Sequence, residues 1–457
     1  MKKWSQFYSM QGLAVGWGKT LRIGRWPYPL LISLLGVLTL LMFGAKQSNA
    51  QVICASVPGG RTVGGTISTD NTWCGLIIVT SDITVNSGVT LDIRPGTEIR
   101  SGIIRIFVNG TMLAQGTSAK PIIFTTNNSS PVPGQWRGII FNPSSTGNVL
   151  NYVTVEYAGF SFANAIEIKT DSLTMTNSKV QHSEFDGLVI TDASPTISNT
   201  AFEDNGEAAL ALYGDSFPIL SGLSATSNGL DGIDVYSNVV EQDYTWGNGG
   251  LDHYRIRGNG LTINNDSTLT VVPGTRLGFN AAGRITINGS LQAQGTSAQP
   301  ILFTSDFPTP NPGNWRSLTF NPSSANNLLD HVTVEYGGFS FASAIAIHTS
   351  DIIIQNSTII RNEFDGIRVE AGTPTITQNN IFDNGEYGLR RTGNDVPVPA
   401  SCNWWGNASG PTVDSNPNGF GQKVSLGVIY EKWLVAPAPG GTCTGFVPRV
   451  YLPFVTK

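Results

Sequence analysis

Residues 174–190 read TMTNSKVQHSEFDGLVI and residues 196–212 read TISNTAFEDNGEAALAL, two lines of one pattern. In each, short runs that alternate apolar and polar residues are separated by Asn-Ser or Asn-Thr and by a turn containing Gly. Alternation over three or four positions is the period of a β-strand, and Asn, Asp, Ser and Gly between such runs are turn formers. Each unit therefore predicts three short strands. A step of about 22 residues aligns Ile166, Leu188, Leu210 and Ile233 in one apolar column, Val153, Met175, Ile197 and Leu220 in a second, and Val180, Phe202 and Ala225 in a third. A short unit that stacks each residue on its counterpart one unit later is a coil of a solenoid, and three strands per coil specify a parallel β-helix with coils about 4.8 Å apart. Asn177 and Asn199, and Asn356 and Gln378, share a turn position in this register. They predict a structural amide ladder.

A second, longer period encloses the first. AQGTSA at 114–119 returns at 293–298 and FNPSS at 141–145 returns at 320–324, an offset of 179 positions kept by VTVEY, GFSFA, EFDG and DNGE. Ile345, Ile367 and Leu389 repeat the 22-residue step in the second copy. The chain thus divides into an export segment at 1–50, a first β-helix copy with its N-terminal cap at 51–237, a second copy at 238–435, and a tail at 436–457. No Pro/Ser-rich linker separates the copies, which favours one continuous solenoid with a kink or offset near 240–260, where Trp246 echoes Trp73.

Lys2, Lys3, Lys19, Arg22 and Arg25 precede an apolar run at 29–45 and a small-residue stretch at 48–50, the order of a signal peptide. An uncleaved anchor is the competing reading, and would be the chain's only route to a membrane. Cys54, Cys74, Cys402 and Cys443 lie outside the duplicated region; the sequence leaves three pairings open, of which the simplest is 54 with 74 and 402 with 443, one staple at each end. Their spacing does not suit a metal site. A net charge of −5 and only 13% charged residues exclude the basic stripe that nucleic acid would need. A secreted or cell-surface location follows from the export segment and this composition.

The run GVTLDIRPGTEI (88–99), NGTMLAQGTSAKPIIFTT (109–126) and PGQWRGIIF (133–141), followed by TISN and NG units, resembles exported bacterial right-handed parallel β-helix proteins, whose fold is shared with pectate lyases. CNWWGNASGP at 402–411 is similar to their closing motif, and the resemblance spans roughly residues 60–435. It implies a right-handed solenoid. It also implies polysaccharide lyases, hydrolases or noncatalytic surface proteins as the functional range. The hydrolase branch implies clustered aspartates with Gly-His-Gly and Arg-Ile-Lys elements. None of His182, His253, His331 and His348 sits between glycines, and Arg255-Ile256-Arg257 matches the basic element only loosely.

Two sets of candidate ligand-binding residues emerge. Glu184 with Asp186, and Glu363 with Asp365, place two carboxylates two positions apart, where strand residues share a face and a pair can approach one cation or sugar. Their neighbours one coil away carry no further carboxylate, so solvated turn residues are the plainer reading. Trp136-Arg137 and Trp315-Arg316 follow Pro-rich loops, and Tyr157, Phe160 and Phe162 recur as Tyr336, Phe339 and Phe341. Exposed aromatics of this kind stack on sugar rings, although core filling is the commoner role. The leading expectation is a noncatalytic β-helix presenting repeated faces to a polysaccharide or cell-envelope glycan, without cofactor. The alternatives are a lyase or hydrolase acting on acidic polysaccharide, where Ca2+ would enter only for the lyase, and a structural envelope component.

Overall fold

The computed structural model describes residues 59–236, 239–393 and 396–445. The export segment, Cys54 and the end of the tail lie outside the described residues. Within them the chain is all-β, a solenoid of about 14 turns with one short 3-10 turn at Phe339–Phe341 and no α-helix. Each coil contributes three strands, here assigned to faces a, b and c. In the first copy, face a is a seven-stranded sheet running from Asn71–Trp73 to Ile219–Ser221. Faces b and c are joined into one sheet by the long strand Leu76–Val85, which turns the corner between them.

Stacking follows the 22-residue register. Ile166, Leu188, Leu210 and Ile233 are successive partners on face c, and Val180, Phe202 and Ala225 on face b. All strand pairs of the coils are parallel, which leaves alternate residues inside, and the inward set forms one continuous apolar core. One assignment differs. The Met175–Ile197–Leu220 column on face a is completed by Leu150, whereas Val153 pairs with Ile122 on face b. Tyr152, at φ 51°, takes the chain round the corner between them, so Val153 belongs to the next face rather than to the straight run before it.

Asn177 and Asn199 do occupy left-handed corners, at φ 50° and 46°. Asn177 Nδ2 donates to Asn151 Oδ1 at 2.9 Å, and Asn199 Nδ2 to Asn177 Oδ1 at 3.5 Å. Stronger amide columns lie inside. Asn379 is fully buried; its Nδ2 donates to Ile354 O and to Asn403 Oδ1, and its Oδ1 accepts from Ser357 N. Asn362 and Asn384 repeat this arrangement, with 2.8 Å between them. These side chains satisfy backbone groups that the tight corners leave without a ladder partner.

At the junction of the copies the sheet on face c does not stop. Leu230–Tyr236 pairs with Tyr254–Arg257, which pairs with Arg276–Phe279 and then with Ile301–Ser305. By the 179-residue offset, Ile301–Ser305 is the counterpart of Ile122–Thr126, a face b strand. Face a ends at Ile219–Ser221, and its counterpart in the second copy is a separate sheet starting at Tyr244–Trp246. Equivalent faces of the two copies are therefore offset by one side of the coil. Chain continuity is maintained, but repeated residues look out in different directions.

The C-terminal end is closed by a Cys402–Cys443 disulfide, as the spacing suggested, beside a fully buried Trp405 and the short pair Trp433–Leu434 with Cys443–Gly445. Cys74 is also disulfide-bonded. Because the buried amides hold three groups each, Asn379→Ala should cost about 2–4 kcal/mol in urea unfolding, and Asn199→Ala on the exposed ladder less than about 1 kcal/mol. Equal losses would show that the two ladders contribute alike.

Candidate functional site

Face c of the first copy carries two outward columns. One runs Glu167, Val189, Ala211, Asp234, Arg255, Gly278; the other runs Thr191, Tyr213, Tyr236, Arg257. Successive rungs of parallel strands are about 4.8 Å apart, so these residues line a strip along the solenoid axis. At one end, Phe162, Phe185, Asp186, Glu207 and Tyr213 enclose a cleft of about 420 Å³ that Glu167 and Asn164 also line.

The cleft is built by turns. Ser161 and Phe162 sit at φ 58° and 62°, an unusual conformation for an aromatic residue, and the Phe162 ring is 84% exposed. Among the described residues its ring meets that of Phe185, at 5.3 Å between ring centres. Asp186 lies on the next turn and is only 4% exposed. Its Oδ1 accepts a hydrogen bond from Ala208 N at 2.9 Å. Burial, assisted by the charges of Glu207 and Asp234 and opposed by that hydrogen bond and by Arg257, pushes the carboxyl up to about 7. Tyr213 stacks on Tyr236 with ring centres 4.4 Å apart, and burial raises both hydroxyls above their ordinary range, with Asp186 and Asp234 adding to it respectively.

Beyond the cleft lies an ion cluster. Asp234, 1% exposed, receives Arg255 through Nε at 2.5 Å and Nη2 at 2.6 Å, and Arg257 through Nε at 3.0 Å. Burial works against both guanidinium charges, but Asp234 outweighs it and holds them above their ordinary value. Asp306 accepts from or pairs with His253 Nε2 at 2.8 Å, and lies 3.7 Å from Arg255 and 3.8 Å from Arg276. Gly278 leaves space for it, since a Cβ there would meet Asp306 Oδ1 at 2.8 Å. No part of this cluster is repeated. In strand register Arg255 and Arg257 correspond to Ile78 and Thr80 in the first copy, and Asp306 corresponds to Asn127.

The expected candidates fare differently. Trp136 and Trp315 are 1% and 0% exposed, and each indole Nε1 donates to a backbone carbonyl, of Glu156 and Glu335. Stacking on a sugar from these rings is overturned, because both fill the interior where the Pro-rich loop rejoins the coil. Arg137 and Arg316 are exposed, Arg137 lying 5.9 Å from the Phe160 ring. The acidic pairs do not act together. Glu184 is exposed and lies against Gly134, where a Cβ would meet its Oε2, while Asp186 is buried in the cleft; Glu363 and Asp365 divide in the same way, with Gly313 in the place of Gly134. These pairs sit on bends rather than strands, so a spacing of two does not give a common face. Nor is Asp186 the solvated turn residue expected of Asp before Gly. Among the described residues, no three His, Cys, Asp or Glu side chains converge as a metal-holding group. Asp234, Tyr213, Tyr236, Glu167 and Glu207 are not among the residues that the apolar repeat singles out, and Arg255 and Arg257, which match a basic element only loosely in sequence, meet Asp234 only because the sheet crosses the junction.

The raised Asp186 carboxyl makes a signed prediction. Unfolded, it ionises near the ordinary 3.8; folded, near 7, so the protonated form is the one the fold favours and stability falls as pH rises from about 4 to 7. Asp186→Asn keeps the acceptor and removes the charge. It should therefore raise stability at pH 8 by about 2–4 kcal/mol and change little below about pH 4, read from melting curves across pH. No gain at pH 8 would show that the carboxylate is well solvated.

Family comparison agrees with this architecture. A pectate-lyase-like β-helix domain model matches residues 65–149 and 239–372, and a right-handed β-helix region model matches 137–287. A search of curated proteins finds no match. Among solved structures, the crystal structure of an alginate lyase from Paenibacillus sp. str. FPU-7 is similar at 10% identity, covering 71% of this chain and 95% of that one with a TM-score of 0.22. With parallel three-strand coils throughout and family matches that together run from 65 to 372, the chain is a right-handed parallel β-helix repeat protein of the pectate-lyase-like fold.

Proposed function

We propose that this protein is a secreted or cell-surface β-helix that binds a polysaccharide along face c of its first copy, without cleaving it. The observation that carries the reading is the cleft itself: an 84% exposed Phe162 on a left-handed turn, opposite Tyr213 and beside the buried Asp186 carboxyl. An exposed ring offers a face to the apolar side of a sugar, and neighbouring carboxyl, amide and hydroxyl groups bond its hydroxyls. The strip continues over several rungs, which suits a chain ligand rather than a single sugar. Export is supported by the basic and apolar start of the sequence and by the Cys402–Cys443 disulfide, a bond that persists in oxidising compartments. Binding without cleavage is supported by Arg255 and Arg257, the basic residues of the strip, which are engaged by Asp234 and held protonated.

A second reading, a polysaccharide lyase or hydrolase, is favoured by one observation. A carboxyl at about 7 sits in an open cleft with Glu207, and pairs of carboxyls with unlike environments serve as acid and base. If so, reducing ends or unsaturated products appear on incubation with polysaccharides, and the rate falls as pH rises through about 7 and Asp186 loses its proton. A broad substrate panel without products, with and without Ca2+, removes this reading.

The binding reading predicts retention of the protein on a glycan array. Phe162→Ala should weaken it about tenfold or more, with an unchanged melting temperature, whereas the buried Trp136→Ala should act through stability. Absence of binding to any glycan or cell envelope would contradict it.

A further inference from the structure

The duplication supplies an internal comparison for the cleft. Phe162 has Phe341 as its counterpart, 75% exposed at φ 64° and 5.1 Å from Phe364. Asp186 has Asp365, fully buried, whose Oδ1 accepts from Tyr387 N at 3.3 Å as Asp186 Oδ1 accepts from Ala208 N. Platform and acid are thus the same in both copies. What surrounds the acid is not.

Val189 and Ala211 of the first copy are replaced by Arg368 and Arg390. Arg368 donates to Asp365 Oδ2 at 2.8 Å, and Arg390 lies 3.7 Å from that oxygen and 3.2 Å from Glu386. In the first copy Asp186 Oδ2 accepts no hydrogen bond from any described residue, and its side chain lines a cleft whose walls include Glu167 and Glu207 and no Lys or Arg. Lys169 pairs with Glu167 from outside that lining, at 2.8 Å.

We infer that the two copies of this site have separated in role: the first-copy cleft takes a saccharide that carries no anionic group, neutral or amino-bearing, and the second-copy equivalent is closed by Arg368 and Arg390. This rests on the reading that the face c cleft binds glycan. Three carboxyls converge on the cleft and above about pH 7 Asp186 carries its charge, so a uronate or sulfate placed there would meet like charge with no guanidinium in the wall to offset it. Sugar hydroxyls and ammonium groups are donors, and the free Asp186 oxygen, once the carboxyl is ionised above about pH 7, is an acceptor that water or ligand must satisfy. In the second copy that acceptor is already satisfied by the protein. The one-face offset adds to the separation, since Ile166, Leu188 and Leu210 belong to one sheet and Ile345, Ile367 and Leu389 to another.

Calorimetric titration of the purified protein with chitosan, cello- and xylo-oligosaccharides, set against oligogalacturonate and oligoalginate, tests this. The expected result is binding of a non-anionic oligosaccharide at one site per chain. Val189→Arg with Ala211→Arg, which installs the second copy's residues, should weaken it about tenfold or more at unchanged melting temperature. Arg368→Val with Arg390→Ala should open the second site and raise the stoichiometry to two, an arm that stands even if the first variant fails to fold. Preference for the uronates, an unaffected affinity in the folded arginine variant, or a stoichiometry that stays at one would overturn the inference while leaving glycan binding intact. Absence of binding to every saccharide would overturn both.

Discussion

Every coil of this protein must pass its backbone hydrogen bonds to the next in parallel register, and the remaining structure follows from that constraint. Parallel strands stacked one rung apart put like on like, so an inward isoleucine demands an apolar partner above it and a corner asparagine demands an amide or carbonyl. The core can then be continuous with few charges, and the corners can be tight because Asn205, Asn362, Asn379, Asn384 and Asn403 bond the backbone groups that the sheets cannot reach.

The same constraint explains why the duplicated surface does not yield duplicated sites. Joining the copies requires the sheet on face c to continue without a gap, and the chain achieves this by resuming the second copy one face further round. Residues that were never neighbours in either repeat are thereby stacked: Asp234 meets Arg255 and Arg257, and Tyr213 and Tyr236 end on Arg257, whose guanidinium lies 5.5 Å from the Tyr236 ring centre. An ion cluster and a strip of aromatic and acidic groups arise at the junction. Burial then differentiates the acids, leaving Asp234 paired and Asp186, among the described residues, without an ion-pair contact.

The fold was legible because its signal is periodic. Twenty-two-residue steps through Leu188, Leu210 and Ile233 state which residues stack, and no tertiary information is needed to read them. The site was legible only in part. Asp186 and Phe162 could be singled out as repeated residues, but not that one is buried and the other exposed, because both lie on corners whose backbone turns left-handed and breaks the two-residue alternation. Trp136 misled for the same reason: a Pro-rich loop precedes it, yet the chain turns inward at the tryptophan. That Asp234, Arg255 and Asp306 meet was beyond reach, since their contacts depend on the offset at the junction, which the repeat arithmetic does not contain.

The most direct test of the account is a crystal structure of the protein with a bound oligosaccharide. Sugar density between Phe162 and Tyr213, with a hydroxyl or ammonium within hydrogen-bond distance of Asp186 Oδ2 and the chain extending toward Arg257, is the predicted result. Density on another face, or against Arg368 and Arg390 with the first-copy cleft occupied by solvent alone, would contradict it.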